Sequence, residues 1–346
     1  MSCGGNVKTN IILLTDYKNR FGSKYTAKPY RSGMDKDELK KNFDKLGYDI
    51  KFLQFSEVNF RENWKNKFVL YTSQEDDNYL YKNFIEDIIY GLELAGARVI
   101  PSYKFLKANN NKIFMEILRD ISDFKEIQGI SSSYYGCLEE LSTKKNITYP
   151  IVIKTATGAM SKGVSSAADY KELISNIKTI SRSKNVKYEL RDSIRALKHK
   201  GYLKDSRHRQ KFITQNMIEG LSNDYKVLVF GNRLYYLRRD VRDNDFRASG
   251  SGKFRFEKEC PPGMLEYAYR VFRYFDVPNI SLDVCFDGEN FHVIEFQALY
   301  FGSTTIEKAP FFCRYSDREI SYFEEKSNLE EVYMSSIVQY LDNEYR

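Results

Sequence analysis

Three groups of residues in this sequence have the types and spacing to do chemistry. The first is Tyr149-Pro-Ile-Val-Ile-Lys154, followed by Thr155-Ala-Thr-Gly-Ala-Met-Ser-Lys-Gly163-Val164. Small residues let backbone N–H groups approach phosphate oxygens, and a lysine adds a point charge. The segment is not a Walker A loop, which needs Gly-Lys-Ser/Thr opening a helix. Taken alone, its plainer reading is a strand exit with a solvated lysine. The second is Ile280-Ser-Leu-Asp283-Val-Cys-Phe and Phe291-His-Val-Ile-Glu295-Phe-Gln297. Glu295 and Gln297 are two apart and so share a strand face. If Asp283 lies across from them, three oxygen donors converge, a set that suits Mg²⁺. The plainer reading is a polar edge hairpin, but Leu282, Val284, Val293 and Ile294 surround these positions, and a carboxylate buried without a partner is costly. The third group is Asp224-Tyr-Lys226 with Arg238-Arg239 and Asp245-Phe-Arg247. Arginines at a hairpin end can clamp phosphate or carboxylate, although a charged surface hairpin is the bland alternative. Gly250-Ser-Gly252 lacks the third glycine of a dinucleotide fingerprint.

The elements that must carry these residues follow from periodicity. Residues 10–15, 51–55, 68–71 and 97–100 read as strands, and residues 34–46 and 83–94 as helices with apolar stripes. Strands alternating with helices imply a mostly parallel open sheet. Residues 109–120 read as a helix with Ile113, Phe114, Ile117 and Leu118 inward. Residues 147–154 are a further strand, residues 167–179 a helix, and residues 182–209 a polar, charged stretch. Beyond it, strands at 211–217, 225–230, 233–239, 280–286 and 291–296 look antiparallel. Gly231-Asn232 and Asp287-Gly288 mark the turns. Residues 329–341 close the chain as a helix.

Composition narrows the class. The 346 residues exceed the roughly 250–300 at which a single core stops growing. At 42% hydrophobic residues, wholesale disorder is excluded. Five scattered cysteines form no CxxC pair and three histidines no metal cluster, so neither a zinc ribbon nor a disulfide framework is indicated. The longest N-terminal apolar run, residues 11–14, is too short for a signal peptide or a membrane span. The expectation is a soluble cytoplasmic protein. The net charge of +7 is localised: residues 180–259 hold 20 Lys+Arg and 10 Asp+Glu, and the remainder 34 and 37. A basic segment of this kind suits a phosphorylated or carboxylated small molecule better than a polymer.

Taken in order, a strand lysine with a small-residue loop, a basic hairpin, and Asp…Glu-x-Gln on paired strands resemble the ATP-grasp superfamily over residues 98–305. Within it they are similar to carboxylate–amine ligases such as the ribosomal-protein glutamate ligases and D-alanine–D-alanine ligase. The resemblance implies an α/β chain, α+β in its catalytic part. A pre-ATP-grasp Rossmann-like domain (1–103) would precede a two-lobed ATP-grasp fold, with small lobe and lid (104–212) and a large lobe carrying the metal site (213–346). It implies that Lys112 and Lys154 contact ATP phosphates and that Ser161, Lys162 and Gly163 lie in the loop closing over them. Gln215, Asn216, Met217 and Ile218 match the hinge that holds adenine and ribose, and Asp224 and Lys226 the start of the next strand. Arg239 and Arg247 match arginines facing the transferred phosphate and the acyl intermediate. Asp283, Glu295 and Gln297 match the magnesium set. The sequence departs from the pattern in a glycine-poor phosphate loop, in Asn216 where a carboxylate is common, Ser249 where an asparagine is usual, Gln297 in place of the metal-binding asparagine, and Ala298-Leu-Tyr-Phe-Gly302 in place of the Asn-x-x-Pro-Gly continuation.

The implied cofactors are ATP and Mg²⁺, with Mn²⁺ as substitute. The implied reaction activates a substrate carboxylate as an acyl phosphate and joins it to an amine, releasing ADP and phosphate. The expected partners are a small carboxylate and a small amine, an amino acid or an acidic sugar among them, with no membrane and no nucleic acid. The resemblance also allows a homodimer. Three other classes stand beside this reading: transfer to a thiol or hydroxyl or onto the substrate as phosphate, nucleotide binding without catalysis, and, last, nucleic-acid binding by residues 182–211.

Overall fold

A computed structural model describes residues 9–344 except 75, 144–146, 159–162, 184, 242–246, 249–251 and 300. The first strand, β1 (Thr9–Thr15), is apolar on both faces. Ile11 and Leu13 enter one core cluster and Leu14 enters another. A strand covered on both sides belongs inside a parallel sheet. The chain continues through α1 (Lys36–Lys45), β2 (Tyr48–Gln54), β3 (Phe68–Tyr71), α2 (Leu80–Leu94) and β4 (Arg98–Ile100). The four strands are parallel in the order β2-β1-β3-β4, as the alternation of elements predicts. Helix α1 begins where the Asp35 carboxylate accepts the backbone N–H groups of Asp37 and Glu38. A short helix, α3 (Tyr103–Ala108), follows.

The next segment holds α4 (Lys112–Asp120), β5 (Ser132–Tyr135), β6 (Ile151–Thr155), β7 (Val164–Ala167), α5 (Tyr170–Ile180), α6 (Val186–Lys198) and β8 (Phe212–Asn216). Its strands form an antiparallel sheet, β5-β8-β6-β7, over a core of Ile151, Ile153, Leu173, Ile177 and Phe212. Two expectations need correction here. On α4 the buried positions are Lys112, Met115, Glu116 and Arg119, while Ile113, Phe114, Ile117 and Leu118 are only half-buried. The helix turns a charged stripe inward because Glu116 and Arg119 neutralise each other there, 2.9 Å apart. The charged stretch after α5 contains a whole helix, α6, and that helix is inverted. Asp192 is buried and bonded to Tyr202 Oη and the Asp205 backbone N–H, while Val186, Leu190, Ile194 and Leu197 point to solvent.

The remaining chain forms β9 (Asn223–Phe230), β10 (Arg233–Asp240), β11 (Phe254–Arg255), α7 (Met264–Phe275), β12 (Asn279–Phe286), β13 (Phe291–Gln297), α8 (Thr304–Lys308), β14 (Phe312–Ser316), β15 (Glu319–Phe323) and α9 (Leu329–Glu344). The sheet order is β13-β12-β9-β10-β14-β15, antiparallel throughout, with β11 added to β10. Gly231-Asn232 is the predicted two-residue hairpin turn. Gly231 has a positive φ of 57°, and any side chain there would run into Gln339.

The described residues divide into two compact units. One joins Met1–Asn109 with Ser222–Arg346 and the other is Asn110–Leu221. The first unit gathers the start and the end of the chain around one core, while residues 213–221, expected in the large lobe, fall in the second unit with β8. Ile337 and Leu341 of α9 belong to the same apolar cluster as Leu13 and Phe43 near the start of the chain and Phe230 of β9. No helix among the described residues is long and apolar enough to cross a membrane.

Candidate functional site

The strand registers bring the acidic residues of the first unit together. Asp283 on β12 sits directly opposite Glu295 on β13, and Ser281 opposite Gln297. On its other side Asp283 pairs with Lys226 on β9. A register shift after Asp283 marks a β-bulge, so Val284 pairs with Val293 and Ile294 is the extra residue. Lys226, Asp283 and Glu295 therefore form one row across three strands. The amide of Gln297 donates to Glu295 Oε1 at 3.1 Å. These are the convergent oxygen donors that the sequence implies only on the condition that the two strands pair in this register.

Arg239 completes the cluster. It faces Asp224 across β10 and β9 and binds that carboxylate with two nitrogens, at 2.6 and 2.8 Å. The same Nη2 reaches Asp283 Oδ2 at 2.8 Å. Lys226 Nζ lies 3.7 Å from Asp283 Oδ1 and donates to Ser281 Oγ at 2.9 Å. One guanidinium thus serves two carboxylates, and the two respond differently. Burial pushes the Asp224 carboxyl up to about 6, because Arg239 only partly offsets desolvation and the neighbouring Asp283 charge adds to it. Burial also raises Asp283, but Arg239 and Lys226 together outweigh it and hold that carboxyl below its ordinary value.

This donor set fits Mg²⁺. Among the described residues no group of three or more His, Cys, Asp or Glu side chains could hold a metal ion by itself. Mg²⁺ does not need one, since it takes one or two carboxylates plus phosphate oxygens and water. Asp283 and Glu295 supply two carboxylates and Gln297 an amide oxygen. Glu295 carries no salt bridge among the described residues, so three carboxylates here face two cationic side chains.

The second unit holds the other candidates. Lys112 opens α4, where its backbone N–H donates to Ala156 O and its Nζ to Gly158 O, both at 2.8 Å. The lysine shapes the start of the small-residue loop. Lys154 is half-buried on β6 between Val164 and Ile213 of the neighbouring strands. Thr155 N donates to Gly163 O at 2.9 Å. Gly163 has φ +73°, and a Cβ there would sit 2.5 Å from Thr155 Oγ1, so no other residue closes this turn without strain. Ser161 and Lys162 lie outside the described residues. Gln215 is buried, and its Nε2 donates to Ser132 Oγ at 2.9 Å. Asn216 is exposed, and its Oδ1 accepts the Ser131 backbone N–H at 2.6 Å. Met217 and Ile218 follow β8, half-buried. In the first unit, Arg247 is half-buried beyond β10.

Sequence reasoning missed the network behind Gln215. Ser132 Oγ donates in turn to Glu116 Oε2 at 2.7 Å, Glu116 pairs with Arg119, and Arg119 Nη1 donates to Ile127 O at 2.7 Å. The side chains of Glu116 and Arg119 are fully buried. Opposite charges three apart on α4 were the available signal, masked by the isoleucines beside them.

A scan of the sequence against protein-family models finds no match, and a comparison with curated proteins finds none. Solved structures do match. A RimK-domain ATP-grasp protein of Sphaerobacter thermophilus DSM 20745 is similar at a TM-score of 0.50 and 12% identity, with 95% of this chain and 98% of that chain covered. D-cycloserine synthetase DcsG is similar at 0.51 and 9%, with 96% and 99% covered. The ATP-grasp ligase PsnB, complexed with a phosphomimetic variant of its minimal precursor, Mg and ADP, is similar at 0.50 and 12%, with 96% and 99% covered.

Proposed function

This chain has the ATP-grasp fold, and from that premise we propose that it is an ATP-dependent ligase that activates a substrate carboxylate as an acyl phosphate and joins it to an amine. The observation that carries the reading is the row Lys226–Asp283–Glu295 with Gln297 beside it and Arg239 bridging Asp224 and Asp283. Strands hold these groups rigidly, and phosphoryl transfer is catalysed mainly by positioning and electrostatics.

Asp283, Glu295 and Gln297 would hold Mg²⁺, which when bound neutralises charge on the nucleotide phosphates. Asp283 is kept ionised by its two cationic neighbours and so remains competent as a ligand at neutral pH. Asp224 orients Arg239 through a two-point contact, and the guanidinium would meet an anionic group in transfer. Lys112 braces the small-residue loop, and Lys154 supplies positive charge for the phosphates. Arg247 stabilises the oxyanion formed when the amine attacks. Small acids and amines are the expected substrate classes, and ATP with Mg²⁺ the expected cofactors.

The test is ADP and phosphate release by the purified protein with Mg²⁺ and ATP across panels of carboxylates and amines, followed by product mass. A condensed product with one ADP and one phosphate per bond supports the ligase. A phosphorylated product, a thioester or an ester moves the protein to a different acceptor class. Nucleotide binding with no ADP from any pair defeats the catalytic reading.

A further inference from the structure

The first unit contains a cleft with about 600 Å³ of empty space, its mouth included. The cleft lies where the strand order of the parallel sheet reverses, between β1 and β3 in the order β2-β1-β3-β4. Open parallel sheets hold ligands beyond the carboxyl ends of their strands at such a reversal. Gly22 and Ser23, after β1, and Thr72, after β3, form that side of the cleft. Leu299 and Phe301, where the chain leaves β13, line it as well, together with Tyr333 and Ile337 of α9.

The walls are pre-formed. Lys24 is bound to the buried Glu330 carboxylate at 2.7 Å, and Glu330 also accepts the Asp35 backbone N–H at 2.8 Å. Glu307 on α8 accepts the backbone N–H groups of Tyr25 and Thr26 at 2.7 and 2.8 Å. The loop after β1 is thereby pinned to α8 and α9 on both sides of the cleft.

Among the described residues no charged side chain lines the cleft. Its polar groups are largely engaged within the wall. Thr72 Oγ1 accepts from Gly22 N at 3.1 Å, Ser303 Oγ from Tyr25 N at 3.2 Å, and Tyr71 Oη donates to Pro101 O at 2.8 Å. What remains facing the space is mostly apolar. The cleft shares strand β12 with the acidic row. Asn279 lines it, and Asn279, Ser281 and Asp283 alternate along β12, so they share one face. Four residues of strand span about 13 Å.

We infer that this cleft holds the body of one substrate, and that this body is uncharged and apolar, an alkyl chain or an aromatic ring, with the reacting group carried along β12 toward Asp283, Glu295 and Gln297. The position of the reacting end rests on the ligase reading, whereas the apolar class rests on the cleft alone. A free amino acid side chain with a charge, or an acidic sugar, would meet no partner there and would be desolvated at a loss.

The test is calorimetric titration of the full-length protein with butanoate, hexanoate and octanoate, and with the three amines of the same chain lengths. Burial of each methylene is worth about a fourfold gain in affinity, so one series should rise steeply with length. The series that rises identifies which substrate the cleft takes. Glutamate and glucuronate should bind more weakly than octanoate. Ser23→Glu places a carboxylate in the half-exposed rim and should flatten the series, while Ser23→Val should leave it. A flat series in the wild-type protein, a slope that survives Ser23→Glu, or tighter binding of glutamate overturns the inference. Mg²⁺–ATP binding, measured in the same samples, separates the two claims. Nucleotide binding with a flat series sinks the cleft, and a rising series without nucleotide binding sinks the ligase while leaving the cleft.

Discussion

At the scale of single residues, Asp283 and Asp224 show how one arginine sets two carboxylates apart. Asp283 has a second cation in Lys226, and Asp224 does not share it at comparable strength. Asp283→Asn should therefore lower ADP formation by at least about a hundredfold, in the range seen when a charge-stabilising group is removed, with an unchanged circular dichroism spectrum. Arg247→Ala should cost about 2.7–4 kcal/mol of transition-state stabilisation, read as a fall in turnover. Asp224 makes a separate prediction about pH. Its carboxyl, at about 6, binds a proton more tightly folded than unfolded. The stability it contributes is fully present below about pH 4 and is lost as pH rises through about 6, an effect on the order of 2–3 kcal/mol. Urea unfolding between pH 4 and 7 should show the wild type losing stability relative to Asp224→Asn over that window. A constant difference between the two would refute the assignment.

At the scale of elements, α4 and α6 invert the usual rule that a helix buries its apolar stripe. Glu116 and Arg119 are an ion pair with both side chains fully buried, and such pairs are expensive to break singly. Glu116→Ala should destabilise the second unit by about 3–5 kcal/mol, whereas Glu116→Leu with Arg119→Met should cost far less, since no charge is stranded. Equilibrium unfolding of the three proteins checks the ordering. On α6 the outward leucines touch solvent, 63% exposed at Leu190 and 87% at Leu197. Replacing both with glutamine should change stability by no more than about 0.5 kcal/mol. Asp192→Ala should destabilise the second unit, because it removes the acceptor of the Tyr202 hydroxyl and the Asp205 N–H.

At the scale of the whole molecule, α9 is the element that makes the first unit one body. It supplies Ile337 and Leu341 to the core shared by the two sheets, and its Asp342 accepts from Tyr48 Oη at 2.9 Å. Ile337→Ala should cost about 2–5 kcal/mol. The loss should appear as a single earlier transition for the whole unit, not as separate melting of its parallel and antiparallel sheets. Two transitions in calorimetry of that variant, one per sheet, would contradict a shared core.

The fold class was legible in the chain because it depends on periodicity. The apolar runs at 10–15 and 68–71 and the stripe at 83–94 can satisfy burial only in a parallel open sheet with helices between strands. The turn residues Gly231 and Asp287-Gly288 mark the antiparallel hairpins that follow. The types of the site residues, Asp283, Glu295, Gln297 and Arg239, were equally visible, since carboxylates in apolar strands demand partners. Tertiary structure decided which partners. Register across three strands placed Asp283 between Lys226 and Glu295, and the row Asp224–Arg239–Asp283 depends on strand order, which no local pattern encodes. The buried Glu116–Arg119 pair and the outward leucines of α6 contradict local periodicity outright, because the free energy of a paired buried charge depends on neighbours distant in sequence. The cleft is the clearest case: Gly22, Ser23, Thr72, Leu299, Phe301, Tyr333 and Ile337 become one surface only when segments far apart in sequence share a core.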